Sequence, residues 1–141
     1  MISKVADGIW RGPRPMDLEY LSLIKALGVE VVIDLESAWF LDWYSRVDTM
    51  RFIGLIKQHC PMSSLRLTPD PQIVDSAVRL MTSGVSCYVH CREGVDRTGI
   101  VVASYRIRTG WPRERAIKEM LDLGFDSYRY WMWLRWLRNH G

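Results

Sequence analysis

Ten consecutive residues, His90-Cys91-Arg92-Glu93-Gly94-Val95-Asp96-Arg97-Thr98-Gly99, gather a thiol, two arginines, two extra carboxylates and a hydroxyl. They follow the apolar run Cys87-Tyr88-Val89 and lead into Ile100-Val101-Val102-Ala103, so the stretch reads strand, tight loop, helix. In such a loop successive backbone N–H groups point inward, and a helix starting near Arg97 or Thr98 adds the positive end of its dipole. The result is an anion cradle with a cysteine at its base. A thiol beside a helix N-terminus and an arginine ionises more readily than a free one. Such a thiolate can attack phosphorus and form a covalent thiophosphate. Arg97 would hold two phosphate oxygens through the transition state, and Thr98 would donate its hydroxyl to the departing sulfur.

The elements that must position this loop follow from the rest of the chain. Val5 to Arg11 reads as two short strands around an Asp7-Gly8 turn. Asp17 caps a helix with Leu18, Leu21, Ile24 and Leu27 on one stripe, ended by Gly28. Val29–Leu35 is a β-branched run suited to a central strand. Glu36 to Phe52 reads as a short helix and loop carrying Trp39, Phe40, Trp43 and Tyr44, and Ile53–Lys57 as a further strand. A helix starting at Thr68-Pro69 or Asp70-Pro71 turns Ile73, Val74, Ala77, Val78 and Met81 inward and runs to Gly84. Three helices follow the cysteine loop: Thr98 to about Thr109, Pro112 to Leu123, and Tyr128 to Asn139 capped by Ser127. The last, rich in Trp and Arg, reads as docked on the domain with arginine stems over apolar surface, although a membrane-surface helix has a similar composition. This order implies an α/β fold with a largely parallel sheet and helices on both faces.

With 141 residues, the chain is expected to form a single domain over 1–141. No apolar run approaches the ~18 residues of a membrane span, and the N-terminus lacks the apolar centre of a secretory signal; the expectation is a soluble, cytoplasmic protein with no stable membrane insertion. A net charge of +3 is too small to argue for nucleic acid, yet fifteen arginines stand against four lysines. Arginine's planar fork suits phosphate, and genomic composition bias produces the same ratio. Cys60, Cys87 and Cys91 form neither a disulfide framework nor paired metal-ligand spacing; a regulatory Cys60–Cys91 pairing is kept open. No metal and no cofactor is expected, and oligomeric state is left undetermined.

The loop resembles the His-Cys-(five residues)-Arg-Thr/Ser signature of the cysteine-dependent protein tyrosine phosphatase superfamily. The compact length and the position of Cys91 resemble its dual-specificity and atypical bacterial branch. The entry segment Ile9-Trp10-Arg11-Gly12-Pro13-Arg14-Pro15, the helix after it and Gly28 to Leu35 are similar to the same enzymes. This resemblance implies a compact phosphatase fold, Cys91 as nucleophile and Arg97 as phosphate clamp. It also implies that the backbone of Arg92, Glu93, Gly94, Val95, Asp96 and Arg97 forms the cradle, with His90 orienting the loop.

Expelling an alcohol or phenol needs a carboxylic acid in reach. The family's usual aspartate is missing from His59-Cys60-Pro61-Met62-Ser63-Ser64. Asp96 and Asp70 are the candidates, Asp96 ahead, although a helix N-cap role accounts for Asp70 without catalysis. The expected substrate is a phosphorylated protein, tyrosine or dual-specificity. Arg11, Arg14, Arg66 and Arg92 around one rim would instead favour an inositol polyphosphate or phosphoinositide, as in phytase-like members. A phosphate-binding module without turnover would need neither Cys91 nor Thr98. A rhodanese-type sulfurtransferase lacks the Arg-Thr-Gly pairing, and no nucleotide-binding glycine motif occurs.

Overall fold

A computed structural model of the chain describes residues 1–37 and 53–140. Strands β1 (Ser3–Ala6) and β2 (Ile9–Gly12) form the expected hairpin, antiparallel, with Gly8 at φ 75° in the turn. Helix α1 (Leu18–Ala26) begins where Asp17 accepts from the Tyr20 amide. Then come β3 (Val31–Asp34), β4 (Ile56–His59), α2 (Pro71–Met81), β5 (Cys87–His90), α3 (Asp96–Arg108), α4 (Arg113–Asp122) and α5 (Trp131–His140). The sheet runs β1-β2-β5-β3-β4, parallel except for the outer β1. It is the mixed α/β architecture expected, with β5 at its centre.

Side chains alternate between the two faces along each strand. Ile33, Cys87 and Val89 join the larger core with Val74, Ala77, Val78 and Met81 of α2, Ile100 to Ala103 of α3, Ile117 and Met120 of α4, and Trp133 and Leu137 of α5. Val32 and Tyr88 point the other way, onto Leu21 and Ile24 of α1. Helix α3 is buried from Thr98 to Ser104 without a break, which explains why its apolar residues show no helical stripe.

Four expectations are corrected. The strand placed at Ile53–Lys57 lies at Ile56–His59. Leu55 packs into the α1-side cluster ahead of it, while β4, at the edge, is mostly exposed; an edge strand needs little apolar sequence. Helix α3 starts at Asp96, two residues early, which puts Asp96 in its first turn. The last helix starts at Trp131, because Asp126, not Ser127, organises the preceding turn: its carboxylate accepts from the Arg129 amide at 2.9 Å and its carbonyl from the Tyr130 amide at 2.9 Å. Leu18 and Leu27 of the α1 stripe are exposed, and only Leu21 and Ile24 are fully buried. Residues 38–52, with Trp39, Phe40, Trp43 and Tyr44, lie outside the described residues.

Candidate active site

Parallel pairing aligns the C-terminal ends of four strands. Gly12, His90, Asp34 and His59 stand side by side in register across β2, β5, β3 and β4. Open parallel sheets place their ligand sites beyond this edge, and Cys91 is the first residue past it.

The loop 91–95 is built in from several sides. Gly94 adopts φ 77°, and a Cβ there would lie 2.3 Å from the Gly12 carbonyl carbon and oxygen, so only glycine lets the loop sit on β2. Arg11, buried at 5% exposure, donates to the Gly94 carbonyl at 3.0 Å. The Arg14 amide donates to the Arg92 carbonyl at 3.0 Å. His90 is fully buried, stacked on Tyr88, with its Nδ1 2.9 Å from the Cys91 carbonyl; a carbonyl only accepts, so Nδ1 carries the proton. Burial pushes the imidazole below its ordinary pKa, with the Asp34 carboxylate opposing. Asp34 in turn pairs with Lys57 at 3.0 Å and accepts from the Glu36 amide at 2.9 Å.

The Thr98 hydroxyl donates to the Cys91 sulfur at 3.1 Å. Among the described residues, no amide from Arg92 to Arg97 donates to another protein group, leaving a run of loop and first-turn donors uncommitted. A cavity of about 330 Å³ opens over them, lined by Cys91, Arg92, Glu93, Asp96 and Arg97 together with Glu36, Ser63, Ser64, Leu65, Arg129 and Tyr130. The Arg97 guanidinium reaches across to the Met62 carbonyl at 3.2 Å.

The two acid candidates separate. Asp96 lines the cavity and accepts from the Asp126 amide at 2.9 Å. Burial first, then the charges of Asp126 and Glu93, hold its carboxyl above the usual aspartate range. Asp70 is outside the cavity lining; it caps α2 by accepting from the Gln72 amide at 3.0 Å and lies 3.6 Å from Arg66.

The rim expected from four arginines does not form. Arg92 lines the mouth, but Arg11 is a buried strut beneath the loop, and Arg14 is tied to the Glu36 carboxylate through Nε at 2.8 Å and 3.1 Å. Arg66 lies outside this cavity, in an exposed ion pair. Sequence reasoning missed Arg129 and Glu36, which do line it. Arg129 is far from the loop in sequence, in the Trp- and Arg-rich C-terminal segment whose arginine stems read as cover for apolar surface. Glu36 gave no local signal, whereas its place two residues past Asp34 at the strand edge carries it to the site. Cys60 and Cys91 are both free thiols, and burial pushes the thiols of Cys60 and Cys87 up to about 11.

A family model described as Tc-R-P, the polymorphic toxin system DSP-PTPase phosphatase, matches residues 10–111, from within β2 through the cysteine loop and α3. The chain belongs to this family. It is therefore a cysteine-based phosphatase of the protein tyrosine phosphatase superfamily. A search of curated protein sequences finds no match. Solved structures share the fold at low identity. The core catalytic domain of the PP-IP phosphatase Siw14 from S. cerevisiae, in complex with citrate, superposes with TM-score 0.81 at 16% identity, covering 99% of this chain and 85% of that one. P. aeruginosa TpbA gives 0.79 at 20% identity, covering 99% and 84%. A cysteine-to-serine form of TpbA in complex with pTyr gives 0.72 at 21% identity, covering 95% and 82%. Among the described residues of this family member, no helix is long and apolar enough to cross a membrane.

Proposed function

We propose that the chain hydrolyses phosphomonoesters on proteins, of the tyrosine or dual-specificity type, through a cysteinyl-phosphate intermediate. The observation that carries this reading is the Thr98 Oγ1 to Cys91 Sγ bond of 3.1 Å at the base of a cavity that Arg97 and Asp96 also line. The Cys91 thiolate attacks phosphorus as the ester oxygen leaves, and Asp96 gives that oxygen its proton. The uncommitted loop amides and Arg97 hold the three equatorial oxygens. Water then attacks the thiophosphate, Asp96 takes its proton, phosphate departs, and the Thr98 hydroxyl supports the returning thiolate.

The mouth of the cavity supports a singly phosphorylated substrate. Glu36 and Glu93 line it beside Arg92, Arg97 and Arg129, and their carboxylates repel phosphates beyond the one held over Cys91. An inositol polyphosphate is the second reading, favoured by the three arginines themselves and by the fold shared with a protein described as a PP-IP phosphatase. Cys91→Ser should abolish hydrolysis of an aryl phosphate while phosphate still binds; retained turnover would overturn the mechanism. Chelation with EDTA should leave the wild-type rate unchanged. Phosphotyrosine and phosphothreonine peptides compared with inositol hexakisphosphate separate the substrate readings, and peptides should be favoured.

A further inference from the structure

A second cavity, about 310 Å³, adjoins the first and shares Ser64, Leu65, Arg129 and Tyr130 with it. Its remaining walls include Leu67, Trp131, Met132 and Trp133. Single exposed apolar residues are ordinary. Here Leu65 (83% exposed), Leu67 (74%) and Trp131 (56%) come from two separate segments and border one concavity. Its floor is fixed, since Trp133 is buried and its indole N–H donates to the Arg66 carbonyl at 2.9 Å, tying α5 to the loop before α2. Two arginines also line it: Arg66, which pairs with Asp70 at 3.6 Å, and Arg129, whose guanidinium lies 5.1 Å from the Tyr130 ring centre. Between them Leu65, Leu67 and Trp131 offer a ligand apolar contact, reached directly across the wall of the phosphate cavity.

We propose that this groove receives an apolar side chain of the substrate protein, adjacent or nearly adjacent to the phosphorylated residue. The inference rests on the phosphoprotein reading and adds a sequence preference to it. An extended chain advances roughly 3.3 Å per residue, so a phosphorylated residue seated over Cys91 carries its close neighbours across the shared wall. An inositol ring, hydroxylated and phosphorylated all round, has no apolar surface to bury there.

The test compares phosphotyrosine peptides with Leu or Phe against peptides with Glu or Ser at the positions on either side of the phosphorylated residue. The apolar peptides should show about tenfold higher kcat/KM, the size expected from burying one such side chain. Trp131→Ala and, independently, Leu67→Ala should shrink that preference to within about twofold while leaving aryl phosphate hydrolysis unchanged. Equal kcat/KM for all peptides, or a preference untouched by both variants, would overturn the groove assignment and leave the phosphoprotein reading standing. Failure to hydrolyse any peptide, with inositol hexakisphosphate consumed, would overturn both. A short-chain phosphatidic acid compared with glycerol 3-phosphate completes the experiment: an apolar gain confined to the lipid would assign the groove to acyl chains and refute the peptide occupant.

Discussion

At the scale of single residues, Asp96 combines access to the cavity with a carboxyl held above its ordinary pKa by burial and neighbouring acids. A raised pKa keeps the proton available to higher pH, so the alkaline limb governed by this group should lie above the usual aspartate value. Asp96→Asn should slow a poor leaving group by about 100-fold or more, slow a good one far less, and remove that limb from the kcat profile. Asp70→Asn should do neither; a large leaving-group effect at Asp70 would reverse the assignment. That Cys91, Arg97 and Thr98 share one site is legible in the sequence because all three lie within ten residues. Arg11 was legible as a cation but not as a strut, since its partner, the Gly94 carbonyl, lies 83 residues away in the chain.

At the scale of elements, the cysteine loop and the β2 terminus form one closely fitted unit. Gly94→Ala would combine a left-handed φ with a Cβ 2.3 Å from the Gly12 backbone, and should cost about 2 kcal/mol or more in urea unfolding while weakening phosphate binding. Helix α5 is docked as its composition suggested: Trp133 and Leu137 are buried, and Trp131 faces water. Leu137→Ala should accordingly destabilise by about 2 to 5 kcal/mol, whereas Trp131→Ala should stay within about 0.5 kcal/mol of wild type. Helix ends with side-chain caps, Asp17 and Asp70, could be read from sequence. The start of α3 could not, because its N-cap position, Val95, makes no side-chain bond and the loop's own geometry sets where the helix begins.

For the whole molecule, the sheet order brings Arg11 and Asp34, from the first third of the chain, together with His90 beneath the loop that follows it. Periodicity marked most of the strands yet carried no information about their order, so the partnership of His90 with Asp34 emerged only from the register. That partnership has a global consequence. Burial holds the folded His90 pKa below its unfolded value of about 6.5, so the unfolded chain binds the extra proton. Stability from this group is present above about pH 6.5 and declines as pH falls through that value. Urea unfolding at pH 7.5 and pH 5.5 should show the decline, and His90→Gln should flatten it; an unchanged slope would remove His90 as its source.

The Arg97 guanidinium and the Trp133 indole both hold the loop before α2, one at the Met62 carbonyl and the other at the Arg66 carbonyl. The proposed phosphate clamp and the floor of the proposed groove thus share a tether five residues long. Whatever free energy an arriving phosphoryl group takes from the Arg97–Met62 bond is charged to the same segment that shapes the neighbouring groove. By thermodynamic reciprocity, an occupied groove acts back on phosphate affinity by the same factor, and the indole of Trp133 sits where it can report both events.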